Sequence, residues 1–355
     1  MHALSASMDR WRETSSQNAF VGFVDAVLRG FGQVFFQNSP ISGALFLIGL
    51  FMGGWAMGGY ALMAVVVSTL TAYWLGVDRS AIGAGLFGYN AALVGVALNF
   101  YLLDNRMLPV YVIFGAFVAC VIGAAISNVL AKWEIPALTG PFVVTIWILA
   151  LGIYGFTEIE PSANSQAPAL PVLASGGRAS MSFEHLYTGI FKGVSEVYFQ
   201  NSIWIGVLFL AGILASSHID FAMAIVGSAV GLVAGWALGV DQNSLTMGLM
   251  GYNGVLTMIA LAGLFYLLDI NSLVLGALAV IGSVLVSIAL TTIVMPYGGH
   301  IYTAPFVLTT YAFIAAGASF KRLQLVAPAK ATTPEGNMNL YREKHWWETF
   351  SHSDS

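Results

Sequence analysis

The sequence predicts an all-α integral membrane protein built from two inverted repeats, each with five transmembrane helices and one re-entrant half-helix. Two observations lead to this fold class. Of the 355 residues, 58% are hydrophobic and only 8% are charged, whereas soluble domains carry roughly 25% charged residues. In addition, blocks of sequence from the first half of the chain recur in the same order in the second half. Lipid is therefore the expected solvent of most of the chain.

The repeat is specific because four separate blocks keep nearly one spacing. In the first copy the blocks are GQVFFQNS (32–39), GVD (76–78), GLFGYN (85–90) and LTGPFV (138–143). In the second copy they are SEVYFQNS (195–202), GVD (239–241), GLMGYN (248–253) and YTAPFV (302–307). Three pairs lie 163 residues apart and the last lies 164 apart, which is typical of a duplicated unit.

The chain is expected to divide into five segments. They are a polar cytoplasmic N-terminal tail (1–17), the first transmembrane repeat (18–157), an extracytoplasmic linker (158–181), the second transmembrane repeat (182–320) and a cytoplasmic C-terminal tail (321–355). The linker is rich in Pro and Ser and shows no helical periodicity, which favours a loop outside the membrane. Trp346 and Trp347 could touch the bilayer surface or fold back, and the sequence favours neither.

Five membrane crossings are expected in each copy, because a helix needs roughly 20 apolar residues to cross a bilayer. In the first copy the apolar stretches are 41–58, 60–76, 82–103, 107–130 and 138–156. In the second copy they are 203–217, 221–238, 245–268, 272–295 and 303–320. The amphipathic stretches 20–36 and 183–199 contain charged residues, which favours re-entrant half-helices over full crossings.

The odd number of crossings per copy predicts that the second copy lies upside down relative to the first. With the N-terminus inside, most Lys and Arg residues fall on the inner side of the membrane. This distribution predicts a multi-pass protein of the cell membrane with both termini cytoplasmic. No cleavable signal peptide is expected, because residues 1–19 lack a short apolar run.

The residue pattern argues against catalysis. None of the six His residues pairs with an acid on one helix at metal-ligand spacing. No Ser–His–acid arrangement, phosphate-binding loop or basic stripe for nucleic acid is evident. The single Cys120 excludes an internal disulfide and a Cys-based metal site. We therefore expect no enzyme activity, no cofactor, no metal site and no nucleic-acid partner.

Gln33 and Glu196 occupy the same repeat position, at the expected tips of the two re-entrant helices. An ionisable group at that depth is a functional candidate, and here its mate is a polar amide and not an apolar residue. Alternatively, such a side chain satisfies a helix terminus or contacts water at the interface.

Two aromatic residues per copy also correspond, namely Phe36 with Phe199 and Tyr89 with Tyr252. Related by two-fold symmetry, they could form a flat slot whose rings cover the faces of a planar solute. The alternative is that they belong to the helix core or to the aromatic belt at the membrane surface.

Thr139 and Thr303 each stand two residues before a proline. Because proline lacks a backbone N–H, each site either begins a helix or interrupts one. Either arrangement leaves backbone groups and a hydroxyl available to a pore. The alternative is a threonine that caps a buried helix end.

These blocks resemble the urea transporter family over about residues 18–320. The resemblance is carried by QVFFQNS and EVYFQNS, by GYNAAL and GYNGVL, and by PALTGPF and YTAPF. It implies a homotrimer in which each subunit has its own pore along the pseudo-two-fold axis. It also implies interrupted third and fifth spans in each half and a narrow filter lined by ladders of carbonyl oxygens. The expected function is passive, channel-like transport of urea and close analogues, with an ion-coupled transporter of a small amide or another neutral polar solute as the alternative.

The resemblance also implies which residues bind the solute. One side of the filter is expected to comprise Gln33, Val34, Phe36, Tyr89 and Leu93. The other side is expected to comprise Glu196, Val197, Phe199, Tyr252 and Leu256, with Thr139 and Thr303 at a middle constriction. Two departures from the family pattern are Tyr at 89 and 252, where some members have Phe, and His300–Ile301–Tyr302 in place of Pro–Ala–Leu.

Overall fold

A computed structural model of the chain describes residues 11, 14–15, 17–173 and 179–341. Most of the polar N-terminal tail, Trp346 and Trp347 lie outside the described residues. The described part is helical, with two isolated β-bridges and no strand. An all-α fold is therefore confirmed.

Seven α-helices form the first copy. They are α1 (Ala19–Gln33), α2 (Pro40–Gly53), α3 (Trp55–Trp74), α4 (Arg79–Gly83), α5 (Tyr89–Tyr101), α6 (Leu108–Leu130) and α7 (Gly140–Gly152). Side chains cap several of these helices: Asn18 accepts from the first turn of α1, Ser39 from that of α2 and Asp78 from that of α4.

The second copy repeats this order. Its helices are α8 (Phe183–Glu196), α9 (Ile203–Leu214), α10 (His218–Ala237), α11 (Gln242–Thr246), α12 (Tyr252–Ile259), α13 (Ile270–Val294) and α14 (Ala304–Ala316). A kink follows α12, since Ala262 (φ −111°, ψ 49°) and Gly263 (φ 144°, ψ −26°) leave the helical region, and residues 334–341 of the tail are helical. The caps recur as well, with Ser182, Ser202 and Asp241 at the starts of α8, α9 and α11.

The third span of each copy, expected over 82–103 and 245–268, is broken, in line with the interruption that the family resemblance implied. A short helix, α4 or α11, ends before a glycine in the left-handed region, Gly85 (φ 76°) or Gly248 (φ 80°). A second helix, α5 or α12, then begins at the tyrosine of the GYN block. Glycine is required there, since a Cβ would lie 2.4 Å from the Gly30 nitrogen in one copy and 2.3 Å from the Gly193 nitrogen in the other.

Each Thr–x–Pro site begins a helix, which settles the alternative that the sequence left open. Pro141 and Pro305 lie in the first turns of α7 and α14, where a missing N–H costs no intrahelical bond.

Helix length separates two groups in the described part of the chain. Four helices are long and apolar enough to cross a membrane by length and composition: Trp55–Trp74, Leu108–Trp133, His218–Ala237 and Ile270–Tyr297. Five apolar helices are shorter: Pro40–Gly53, Gly140–Gly155, Ile203–Leu214, Tyr252–Leu264 and Ala304–Ser319. Large apolar side chains on the long helices remain exposed, as expected of a protein solvated by lipid.

Packing divides the chain into two compact units. One comprises the described residues up to Ala124 together with Val144–Ser165. The other comprises Ala125–Val143 and the described residues from Gln166 onward. Corresponding helices pack together inside each unit: α1 on α2 and α3 on α5 in the first, α8 on α9 and α10 on α12 in the second.

Candidate functional site

The turn after α1 holds three of the predicted residues in a fixed conformation. α1 ends at Gln33, and the Phe36 amide donates to the Gln33 carbonyl oxygen at 2.9 Å. Phe36 has a φ of 62°, in the left-handed region that bulky side chains rarely adopt. The Val34 side chain is buried beneath this turn.

The turn after α8 repeats this geometry in the second unit. The Phe199 amide donates to the Glu196 carbonyl oxygen at 2.9 Å, Phe199 has a φ of 58°, and Val197 is buried. A bulky residue in this region costs about 1–3 kcal/mol and is typical of functional sites. Its occurrence at the same position in both copies indicates that the turn is kept for its shape.

Two buried glutamines that the sequence reasoning did not select hold these turns. The Gln37 amide donates to the Phe35 carbonyl oxygen at 2.7 Å. The Gln200 amide donates to the Tyr198 carbonyl oxygen at 3.2 Å. Their signal in the sequence was the full FQN block, of which only the aromatic residue was considered.

Glycines fix where α1 and α8 lie. A Cβ on Gly43 of α2 would lie 1.7 Å from the Leu28 carbonyl oxygen of α1. A Cβ on Gly206 of α9 would lie 2.1 Å from the Phe191 carbonyl oxygen of α8. Each amphipathic helix therefore meets the next helix backbone to backbone, at a distance that only glycine permits.

In the first unit the structure brings Gln33 to the break before α5. The Gln33 side-chain amide donates to the Ala84 carbonyl oxygen at 2.8 Å. Tyr89 is the first residue of α5, and Leu93 lies fully buried one turn later. Gln33, Tyr89 and Leu93 thus lie on elements that contact one another, since α1 packs on both α4 and α5.

In the second unit Glu196 replaces this amide and makes a different set of contacts. The Glu196 carboxylate is partly exposed, and it accepts no hydrogen bond from the residues that the structure describes. The Tyr252 hydroxyl donates to the Tyr302 carbonyl oxygen at 2.6 Å, and Leu256 is buried on the same helix. The hydroxyl that distinguishes Tyr252 from phenylalanine is therefore used to hold the segment before α14.

Thr139 and Thr303 meet directly inside the second unit. Their Oγ1 atoms lie 2.6 Å apart, and both side chains are buried. The Thr303 side chain does not cap α14, so the simple capping alternative does not apply to it. The Tyr311 hydroxyl donates to the Ala137 carbonyl oxygen at 2.6 Å and holds the Thr139 segment against α14.

Three aromatic rings cluster in the same unit. The Phe142 ring centroid lies 6.3 Å from that of Phe199 and 5.6 Å from that of Tyr302, both in edge-to-face geometry. Phe199 and Tyr302 lie 6.3 Å apart. Sequence reasoning selected Phe199 and missed Phe142 and Tyr302, although the duplicated Pro–Phe pair and the departure at His300–Ile301–Tyr302 were visible.

The local geometry provides hydroxyl oxygens, backbone carbonyls, aromatic rings and one carboxylate. A set of this kind can accept hydrogen bonds from a small polar solute while apolar rings cover its faces. No group of His, Cys, Asp and Glu that could hold a metal ion occurs in the described ranges.

Comparison with known families gives a match to the urea transporter family over residues 24–318. Among characterised proteins, urea transporter 1 of Capra hircus is 32% identical over 331 residues, covering 90% of this chain and 83% of that protein. Urea transporter 1 of Ovis aries is 32% identical over 323 residues with the same coverage. Urea transporter 1 of Mus musculus is 35% identical over 258 residues, covering 68% of this chain and 64% of that protein.

Proposed function

The chain belongs to the urea transporter family, and we propose that it conducts urea through a filter to which both copies of the repeat contribute. Transport is passive, and the protein is a transporter and not an enzyme. The ion-coupled alternative is not favoured by the family match.

One observation carries the assignment of the site. Thr139 and Thr303 come from different copies, yet their hydroxyl oxygens lie within hydrogen-bond distance in a buried setting. A hydroxyl both donates and accepts, so each can exchange its partner hydroxyl for an NH2 group or the carbonyl of urea. We propose that these two residues form the narrowest polar point of the path.

Glu196 and the rings of Phe199 and Tyr252 are proposed to complete the second copy's share, with Val197 and Leu256 as its apolar wall. Stripping water from an amide-like group costs roughly 2–7 kcal/mol unless hydrogen bonds replace it. The Glu196 carboxylate can accept from an NH2 group, while aromatic rings cover the faces of a flat solute. An ion would lose far more hydration energy than these neutral groups return, so it is refused.

The first copy is proposed to contribute its corresponding residues. They are Gln33, Val34, Phe36, Tyr89 and Leu93. The support is local: the left-handed turn at Phe36 matches that at Phe199, and both turns follow the polar residue at the end of an amphipathic helix.

Substitution of both threonines tests the proposed constriction. In Thr139→Val/Thr303→Val both hydroxyls disappear together, so no buried partner is left unpaired and stability should change little. Urea flux should fall about thirtyfold, on the scale of two lost hydrogen bonds of about 1 kcal/mol each. The measurement is stopped-flow urea flux in proteoliposomes, with thiourea and glycerol as comparison solutes.

Thr310→Val is the matched control for that experiment. Thr310 lies fully buried on α14, and its hydroxyl has no hydrogen-bond partner in the described part of the chain. It should leave flux unchanged. Unchanged flux in a well-folded double valine variant would remove the constriction role, and accumulation of urea driven by a proton or sodium gradient would contradict passive transport.

We also propose the finer architecture that the family resemblance and the charge pattern imply. The two copies are inverted in the cell membrane, both termini are cytoplasmic, and three chains assemble with one pore each. The Lys and Arg distribution supports the orientation. Labelling of single cysteines placed in the linker and in the C-terminal tail should come from opposite sides of the membrane, and native mass spectrometry should show a trimer.

A further inference from the structure

Each amphipathic helix carries an acid and a base four residues apart, but in opposite order, and α8 carries a further acid, Glu184, in its first turn. In α1 an acid precedes a base by four residues, Asp25 and Arg29. In α8 a base precedes an acid by four residues, Lys192 and Glu196. At the repeat spacing of 163, Lys192 corresponds to Arg29, but the residue that corresponds to Asp25 is the neutral Thr188. The acid of the pair therefore lies in the middle of α1 but at the last residue of α8.

In α1 the positive charge is compensated without involving the tip. The Arg29 Nε atom lies 2.6 Å from the Asp25 carboxylate, and both side chains are mostly buried. The remaining Arg29 nitrogens include Nη1, which donates to the Asn38 carbonyl oxygen at 2.8 Å and to its side-chain oxygen at 2.7 Å. Gln33 at the tip is neutral, so the first helix has no net charge near the proposed filter.

In α8 this partner is absent, and the acid nearest to Lys192 in sequence lies at the tip. Lys192 forms no close ion pair with any residue that the structure describes. It lies one helical turn before Glu196, the last residue of α8. Residues four apart on a helix share a face, so the Lys192 charge is directed along the surface that ends at Glu196.

We propose that Lys192 is a positioning residue whose charge balances Glu196, so that the proposed filter prefers a neutral planar solute over a cation of the same shape. The inference rests on the proposed function, because it assumes that Glu196 contacts the solute. Without Lys192, a partly buried carboxylate would attract a cation, since its charge would have no local counterpart. The second copy thereby keeps a hydrogen-bond acceptor at its tip, while the charges of Lys192 and Glu196 cancel as those of Asp25 and Arg29 do.

Guanidinium is the probe that separates charge from shape, because it is planar like urea and carries a positive charge. In Lys192→Met, the guanidinium concentration that halves urea flux should fall about tenfold, the order expected when one nearby opposite charge is removed. In Lys192→Arg the value should stay at that of the original protein. The measurement is stopped-flow urea flux in proteoliposomes over a range of guanidinium concentrations.

A double-mutant cycle shows whether Lys192 acts through Glu196. In the Glu196→Gln background, Lys192→Met should no longer change guanidinium inhibition. The double variant Thr188→Asp/Glu196→Gln, called the transplant, places an acid four residues before the base, as in α1. Guanidinium should inhibit the transplant as weakly as it inhibits the original protein. Lys330→Met, which removes an exposed tail charge, controls for net charge and should change nothing.

The outcomes separate this inference from the proposed function. If Glu196→Ala lowers urea flux but Lys192→Met leaves guanidinium inhibition unchanged, the role of Lys192 is overturned and that of Glu196 stands. If Glu196→Ala leaves urea flux unchanged, the filter assignment itself fails. Should Lys192→Met not fold, the transplant decides, because tight guanidinium inhibition of a variant with a balanced charge contradicts the proposal.

Discussion

The two copies of the repeat fasten the end of their broken helix with equivalent main-chain contacts but different side chains. Residues 160–165, the first strap, follow α7, and residues 324–337, the second strap, follow α14. In the first copy the Leu103 amide donates to the Glu160 carbonyl oxygen, and in the second the Leu267 amide donates to that of Gln324. Likewise, the Ser162 amide donates to the Tyr101 carbonyl oxygen, and the Val326 amide donates to the Phe265 carbonyl oxygen. A segment expected to be a loop and a segment expected to be a tail thus perform one structural task.

The difference lies in how many donors serve the last carbonyls of the helix. In the first copy the Phe100 carbonyl oxygen accepts from Ser162 Oγ at 2.8 Å and from Asn164 Nδ2 at 3.1 Å. In the second copy one buried side-chain amide, that of Asn337, donates to the carbonyl oxygens of Gly263 at 2.9 Å and of Leu264 at 3.0 Å. The side-chain bonds of the first strap are redundant, because two donors serve one carbonyl oxygen. Those of the second strap all come from a single residue, Asn337.

A single extra residue explains why the second copy needs this bond. The spacing between copies is 163 at Tyr89 and Tyr252 and 164 at the bridges Leu102–Pro161 and Tyr266–Leu325. The additional residue lies between Tyr252 and Tyr266, the stretch in which Ala262 and Gly263 leave the helical region. Such a kink frees carbonyls that a regular helix would satisfy, and buried carbonyls need a donor. The comparison teaches that the kinked end of the second copy has its Gly263 and Leu264 carbonyls satisfied by a residue of the strap, Asn337.

The largest loss of stability is expected at the glycines that break the third span, where the two copies are alike. Gly85→Ala and Gly248→Ala each add a Cβ to a residue in the left-handed region, which costs about 1–2 kcal/mol of stability. The added Cβ also lies against a backbone nitrogen, which costs about 1–3 kcal/mol more. Both variants should lose stability by similar amounts, since the contacts are 2.4 and 2.3 Å. The measurement is the apparent melting temperature of the purified protein in detergent.

Gly76 and Gly239 provide the matched control in each copy. They also have positive φ angles, 73° and 83°, but nothing lies within 4 Å of a Cβ there. Alanine at these positions should cost only the backbone strain of about 1–2 kcal/mol. Equal losses at Gly85 and Gly76 would show that close packing of α1 on the break does not require glycine.

A smaller loss of stability is expected at the straps, and it should be appreciable only in the second copy. Asn337→Ala leaves two buried carbonyls without their donor, and it should destabilise the protein by about 1–3 kcal/mol. Because α12 carries Tyr252 and Leu256, urea flux should fall together with stability. Thermal unfolding in detergent and flux in proteoliposomes measure the two effects.

Asn164→Ala is the corresponding change in the first copy. The Phe100 carbonyl oxygen keeps its bond from Ser162, and Asn164 is exposed, so the loss should stay below about 0.5 kcal/mol. Similar losses for Asn337→Ala and Asn164→Ala would contradict the distinction between a redundant and a single-donor strap.

The paired blocks predicted what the repeat duplicates, and the family resemblance implied an interrupted third span, but hydropathy did not show where the helix breaks. Paired blocks identified Gln33 with Glu196 and Thr139 with Thr303, because side-chain identity is visible without structure. Hydropathy could not reveal the breaks at Gly85 and Gly248, since residues on both sides remain apolar and only a backbone angle changes.

The missed residues share a physical reason. Phe142 and Tyr302 were passed over because a buried aromatic is ordinarily core, and only distance shows that they meet Phe199. The straps were assigned to loop and tail because polar residues lack periodicity, while the partners of Ser162 and Asn337 are main-chain carbonyls that no sequence pattern marks.

The smallest effect on stability is expected at the starts of α3 and α10, which occupy the same place in the two copies. In the first copy the residue before α3 is Gly54, which offers no side-chain cap. In the second, Ser217 caps α10, and Glu335 accepts from the Ile219 amide at 3.0 Å and lies 2.9 Å from His218 Nδ1. Partial burial raises the pKa of Glu335, but its hydrogen bonds and the nearby histidine outweigh this and hold the pKa below its ordinary value.

Glu335→Gln should therefore remove a pH-dependent contribution to stability of under about 1 kcal/mol. Because the folded pKa is lowered, the contribution is complete above the pKa of the unfolded chain and is lost as the pH falls through the folded value. The gap in melting temperature between the original protein and Glu335→Gln should be widest near neutral pH and close on acidification. Glu158→Gln, which breaks only the exposed pair with Arg106, should show no gap at either pH. If this difference in melting temperature instead widened on acidification, the Glu335 carboxylate would destabilise the start of α10. The stabilising cap of α10 would then come from Ser217 alone.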